Sequence, residues 1–170
     1  NYSFLKNQEE LYGKVTDCII NGKIVGWFQG KMEFGPRALG NRSILADPRD
    51  PGMKHKVNSK IKFREEFRPF APAVISEDKE LYFDMDFDSP YMMFTTKVKR
   101  DLCNVISDEL LLDDIVNANT SIIPAVTHID RTARVQTVSA EDNVKFHDLL
   151  HCFKLKTGCS LLLNTSFNVM

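Results

Sequence analysis

The chain has 170 residues, 43% of them hydrophobic, and a formal net charge of -1. That length buries a core within one domain, 1–170, and the near-neutral balance excludes a broadly cationic, non-specific nucleic-acid binder while allowing a local basic cleft. No apolar run approaches the roughly 20 residues needed to span a bilayer.

Residues 9–21 place Leu11, Val15, Ile19 and Ile20 at helical spacing and stop at Asn21-Gly22, which predicts a helix. A β-rich run over 23–28 follows and delivers Gln29-Gly30-Lys31 and then Gly35-Pro36-Arg37-Ala38-Leu39-Gly40-Asn41-Arg42-Ser43 at a strand end. A second short strand over 43–46 stops at Asp47-Pro48-Arg49-Asp50-Pro51-Gly52, a turn by its prolines and glycine. A helix is expected over 53–61, a strand over 70–75 with Pro72 favouring an edge or irregular position, and a short helix over 76–81. Strands are expected at 91–98, 125–128 and 133–138, with a variable excursion over 100–119. Val144, Phe146, Leu149, Leu150 and Phe153 predict a helix over 143–157 capped by Gly158, and the last strand covers 159–163. This order predicts a mixed α+β or mixed-sheet α/β domain rather than a purely parallel, doubly wound one.

Charge is unevenly distributed. Basic residues outweigh acidic ones between Lys31 and Arg68, and the sign reverses from Glu77 to Asp88 and again at Asp108, Glu109, Asp113 and Asp114, acidic clusters expected on solvated surface. Cys18, Cys103, Cys152 and Cys159 form no C-x-x-C pair and no signal-like apolar segment is present, so reduced thiols and a cytoplasmic location are expected. The start at Asn1-Tyr2-Ser3 and the stop after Asn168-Val169-Met170 read as a piece of a longer parent.

Two Gly/Pro-punctuated segments bear arginines: the one around Arg37 and Arg42, and Lys60-Ile61-Lys62-Phe63-Arg64 running into Phe67-Arg68-Pro69-Phe70-Ala71-Pro72. Glycine lets backbone approach closely, proline sets φ, and each guanidinium offers a planar donor fork matched to phosphate or carboxylate oxygens. A preorganised site for a polyanionic small molecule is expected, against a structural alternative in which Arg37 and Arg42 pair with Glu33 or Asp47 and Lys62, Arg64 and Arg68 line a solvated face. Arg134 and Gln136, two apart on a strand, share one face. His128 is suited to hydrogen bonding an oxyanion or to proton transfer near neutrality. Asn164-Thr165-Ser166 leaves an apolar strand with hydroxyl, amide and backbone donors available for a phosphate. His147 and His151 with Cys152 and Cys159 lack a second well-spaced ligand pair for zinc. No P-loop, dinucleotide-binding or hydrolase-elbow motif is present, so a nucleotide site here is of another kind.

The run from Gly30 to Arg49, the stretch 58–62, Phe67-Arg68-Pro69-Phe70-Ala71-Pro72, Thr132-Ala133-Arg134-Val135-Gln136 and Leu163-Asn164-Thr165-Ser166-Phe167-Asn168 together resemble the carboxy-terminal domain of the carbamoyltransferases that act in nodulation-factor and antibiotic tailoring. The resemblance implies a YrdC-like fold, a twisted mixed sheet flanked by helices, that follows an amino-terminal domain of the actin-like ATPase type. It further implies that carbamoyl phosphate and ATP, with Mg²⁺ held partly by phosphate oxygens, give carbamoyl-adenylate here for transfer to an acceptor hydroxyl by the other domain. Carried over by motif, Arg37, Lys62, Arg68, Arg134 and Ser166 match positions that bind carbamoyl phosphate and nucleotide phosphates, with Arg37, Lys62 and Ser166 in catalytic roles and Lys62 an electrostatic clamp rather than a nucleophile. Arg42, Asn58, His128 and Asn164 are further candidates, and no metal-ligating carboxylate is assigned. The rival expectations are an RNA-binding module of the same fold and a purely structural domain that positions a neighbour.

Overall fold

The computed structural model describes residues 2–105 and 119–168. Among these residues six strands form one mixed sheet in the order β1-β2-β6-β3-β5-β4, with β1 Val25–Phe28, β2 Arg42–Ala46, β3 Ala71–Ile75, β4 Phe94–Lys97, β5 Thr132–Val138 and β6 Leu161–Ser166. Only β3 and β5 run parallel; the other neighbours are antiparallel. The mixed α/β class expected from the order of elements is what the chain adopts. Helices α1 Gln8–Ile20, α2 Met53–Val57, α3 Lys79–Tyr82 and α4 Ala140–Thr157 flank the sheet. The acidic residues 108, 109, 113 and 114 lie outside the described residues.

Helix α1 starts because Asn7 accepts the Glu10 N–H at 2.9 Å, satisfying one donor of the open first turn. Its buried face is Tyr12, Thr16 and Ile19, with Leu11 and Val15 flanking and Ile20 exposed, so the stripe is rotated from the purely aliphatic one read in the sequence. Thr16 is tolerated inside because its hydroxyl reaches the Tyr12 and Gly13 carbonyls at 2.9 Å. Helix α4 packs on α1 and buries Phe146, Leu149, Leu150 and Phe153, and Gly158 ends it at φ 74.

The structure corrects several expectations about the elements. Pro72 sits in β3, an interior strand; its missing N–H is accommodated because the ladder to β5 begins only at Ala73. Residues 124–126 form one 3₁₀ turn instead of a strand: Pro124 opens it, Thr127 donates to the Ile123 carbonyl at 3.0 Å, and Ser121 pairs with Thr127 at 2.7 Å. The helix over 53–61 is ordinary only to Val57 and then widens into a π-helix, Asn58–Lys62, closed by Phe63 at φ 47. The acidic run 77–88 is not all solvated, since Asp78 is buried against Lys154 at 2.7 Å.

Candidate active site

The thirteen residues between β1 and β2, numbers 29–41, form a braced loop rather than a simple hairpin turn. Glu33 supplies the brace: its Oε1 accepts the backbone N–H groups of Leu39, Asn41 and Arg42 at 3.0, 2.7 and 3.0 Å. Burial alone would raise the Glu33 carboxyl, but those backbone donors outweigh it and hold the group below its ordinary value. Arg42 lies with its guanidinium 3.4 Å over the Phe28 ring and donates to the carbonyls of Gln29 at 2.6 Å, Asn41 at 2.9 Å and Gly30 at 3.2 Å. Neither arginine of this segment makes an ion pair with Glu33 or Asp47; Asp47 is taken by Arg49 at 2.7 Å.

Helix α4 locks the loop from behind. Asn143 breaks the helical backbone at φ -155 and recaps it, accepting the Phe146 N–H at 3.2 Å and the Gln29 amide at 3.0 Å while donating to Asn41 at 2.9 Å. Gly40, at φ 103, lies so close that a Cβ there would stand 2.2 Å from the Phe146 ring. The loop therefore presents Arg37 and the Ala38 and Leu39 carbonyls from a fixed frame.

Arg37, Arg64, Arg134, Asn164 and Ser166 line one polar cavity of about 110 Å³, and no carboxylate is among its described lining residues. It adjoins a larger apolar cavity of about 750 Å³ walled by Phe34, Leu39, Tyr91, Met92 and Met93, with Pro36, Arg37, Met92 and Arg134 common to both. Positive charge is concentrated here, with Glu65 acting on Arg64 from outside the cavity and no carboxylate among the described lining residues. Burial, and then repulsion from Arg37, lowers the Arg134 guanidinium; burial, and then Arg68, lowers that of Arg64. An anion in this cavity relieves both costs.

Lys62 stands behind the rim. Its buried ammonium donates to the Ser166 and Asn168 carbonyls at 2.5 and 2.7 Å and to the Ser166 hydroxyl at 3.2 Å, tying the end of β6 to the π-helix. Burial, and then repulsion from Arg64, brings it down to about 8, a depression that the sequence does not disclose. Asn58, fully buried, donates to the Glu66 and Arg68 carbonyls at 3.2 and 3.0 Å and accepts from Arg64 at 2.7 Å, so it aims Arg64.

Of the residues singled out from sequence, Arg37, Arg134, Asn164 and Ser166 thus meet in one cavity, Lys62 touches it through Ser166, and Asn58 and Arg42 hold its walls. Two are not brought in. Arg68 is exposed and pairs with Glu65 at 2.9 Å. His128 lines a separate cavity of about 350 Å³ with Lys54, Phe67 and Asp130, its Nδ1 3.0 Å from the Thr132 hydroxyl, and burial lowers its pKa. Arg64 and the wall at Tyr91, Met92 and Met93 enter without having been assigned to the site. The 91–93 stretch is not strand: Ser89 anchors it to β5 through Thr137 at 2.8 Å and the Val135 carbonyl at 2.9 Å, and Met92 adopts φ 56. Among the described residues no group of three or more His, Cys, Asp or Glu side chains suits a metal ion, and no helix is long and apolar enough to cross a membrane.

Residues 16–170 match the family model described as "Carbamoyltransferase C-terminus". The chain is 48% identical to the uncharacterized protein sll1178 of Synechocystis, over 96% of this chain and 27% of that protein. It is 39% identical to the nodulation protein NolO of Bradyrhizobium diazoefficiens over 96% of this chain and 27% of the relative, and 37% identical to the 3'-hydroxymethylcephem-O-carbamoyltransferase of Amycolatopsis lactamdurans over 92% and 26%. It spans about a quarter of the length of these curated relatives. With its matched segments spread from α1 to the end of β6, the chain belongs to the carbamoyltransferase C-terminus family.

Proposed function

We propose that this domain binds carbamoyl phosphate and ATP and forms carbamoyl-adenylate, which the remainder of a whole protein of this family passes to an acceptor hydroxyl. The observation that carries this is the convergence of Arg37, Arg64 and Arg134 with Ser166 around a cavity with no carboxylate among its described lining residues, adjoining an apolar one large enough for a nucleobase.

Mass balance sets the steps. Carbamoyl phosphate and ATP cannot give carbamoyl-adenylate and pyrophosphate without leaving one phosphate over, so water must first split carbamoyl phosphate into carbamate and inorganic phosphate. A carbamate oxygen then forms a bond to the α-phosphorus of ATP as the α–β bridge breaks and pyrophosphate departs. Both partners are anions, and the catalytic task is to bring them together and to stabilise charge on the transferring and leaving phosphates. Arg37 and Arg134, which line both cavities, meet that task with their guanidinium groups, and Arg64 adds a third; the Ser166 hydroxyl, which donates to Asn168 Oδ1 and accepts from Lys62, turns to a phosphate by exchanging the first of these bonds. Mg²⁺ would come with ATP, held partly by phosphate oxygens; Glu33, the carboxylate of the loop, already accepts three backbone N–H groups.

The test is release of pyrophosphate and phosphate by the full-length protein supplied with MgATP and carbamoyl phosphate. Arg37→Ala and Arg134→Ala are expected to lower it by roughly 100-fold or more while leaving the melting temperature in place. Unchanged turnover in both variants contradicts the assignment, and salt-sensitive RNA affinity that ATP does not compete away turns it toward the nucleic-acid alternative.

A further inference from the structure

One buried acceptor stands out among the donors of the polar cavity. Asn164 is 1% exposed, and its Oδ1 has no hydrogen-bond partner among the described residues. Its Nδ2 donates to the Ala38 carbonyl at 2.9 Å and to Gln136 Oε1 at 2.7 Å, while Gln136 Nε2 donates in turn to the Leu39 carbonyl at 3.0 Å. That relay sets the orientation of both amides. Turning Asn164 over would place its carbonyl against two other oxygens, so Oδ1 is committed to accepting. An unpartnered buried carbonyl costs about 1–3 kcal/mol, a cost that a bound donor, ligand or water, removes.

Resting on the function proposed above, we infer that Asn164 Oδ1 accepts an N–H from the carbamoyl –NH₂ group and is the residue by which this site selects a carbamoyl phosphate over acyl phosphates that lack nitrogen. The guanidinium groups of Arg37, Arg64 and Arg134 offer only donors, which suit phosphate and carbonyl oxygens but cannot recognise an amine, and the Ser166 hydroxyl is held between Lys62 and Asn168. An acetyl group has nearly the shape of a carbamoyl group but puts a methyl where the –NH₂ would be. It leaves Oδ1 buried and unpaired, the condition under which a site rejects an analogue most strongly. The loop frame contributes directly, since the Ala38 and Leu39 carbonyls that orient the relay are those presented by the Glu33 brace.

The experiment compares calorimetric binding of carbamoyl phosphate, acetyl phosphate and inorganic phosphate to the full-length protein, its Arg37→Ala variant, Asn164→Leu and Gln136→Met. None of these ligands carries a nucleobase, so an N–H from adenine does not enter the comparison. Carbamoyl phosphate is expected to bind at least about tenfold more tightly than acetyl phosphate, and the ratio is expected to fall toward one in both Asn164→Leu and Gln136→Met. Gln136→Met leaves Asn164 in place but removes the acceptor that orients its amide, so the comparison survives if Asn164→Leu fails to fold. Equal, Arg37-dependent binding of both acyl phosphates overturns the role of Asn164 and leaves the proposed function standing. Binding of none of the three, or binding insensitive to Arg37→Ala, overturns the proposed function beneath it.

Discussion

Arg37 and Arg42 sit five residues apart in one motif, yet their surroundings give them different work. Arg37 is exposed on the cavity wall with Arg134 as its charged neighbour, whereas Arg42 spends its donors on three backbone carbonyls and its face on Phe28. Arg37→Ala is therefore expected to weaken phosphate binding with little loss of stability. Arg42→Ala is expected to lose roughly 1–3 kcal/mol, read by denaturant unfolding, and to weaken binding only through the loosened loop. Lys62 makes a separate prediction through pH. Its folded pKa of about 8 lies below the ordinary lysine value of 10.5, so between these values the unfolded chain holds the proton that the folded chain has released, and this group's contribution to stability rises with pH across that window. Anion binding runs the opposite way, because a phosphate favours the charged ammonium. Affinity for inorganic pyrophosphate is expected to fall as pH rises through about 8 in the native protein and to lose that inflection in Lys62→Arg, whose side chain stays charged. A flat profile in the native protein contradicts an electrostatic role for Lys62.

The loop over residues 29–41 shows how an element can be legible in its ends and illegible in its middle. Strands β1 and β2 and the Gly-Pro-Arg segment between them follow from β-branched runs and turn residues, but the brace depends on Glu33 reaching donors six to nine residues away and on Asn143 from α4, more than a hundred residues on. No local pattern encodes those distances. Arg37 and Ser166 stand out because they lie in a Gly/Pro-marked motif and at a strand end, and Arg134 because it shares a strand face with Gln136. Arg64 does not, since only the π-turn and Asn58 direct it inward while its neighbour Arg68 turns to solvent. The strand predicted at 125–128 fails for a related reason: hydroxyl bonds among Ser121, Ile123 and Thr127 outweigh β-propensity. At this scale Gly40→Ala is a sharp test. It combines φ 103 with a Cβ 2.2 Å from fully buried Phe146, and is expected to cost roughly 2–5 kcal/mol and to displace the loop. A variant as stable as the native protein would show that the loop is not clamped to α4.

Over the whole molecule, a net charge of -1 conceals a division of sign. Arginines gather at the polar cavity, while Glu80, Asp84 and Asp86 line a different cavity of about 290 Å³. Mutual repulsion among unneutralised guanidinium groups is a cost that the free domain carries and a bound polyanion removes, so ligand should stabilise the fold. At a concentration about 100-fold above Kd, MgATP or pyrophosphate is expected to add about 2.7 kcal/mol and to raise Tm by roughly 5–10 °C, a shift absent from Arg37→Ala. The measurement that bears most directly on the central claim is calorimetric titration of the protein with MgATP, with and without carbamoyl phosphate, set beside the same titration of Arg37→Ala. Saturable binding that is lost in the variant is the predicted result; a folded protein that binds neither ligand, or binds both equally well without Arg37, contradicts the assignment of this cavity as the adenylate-forming site.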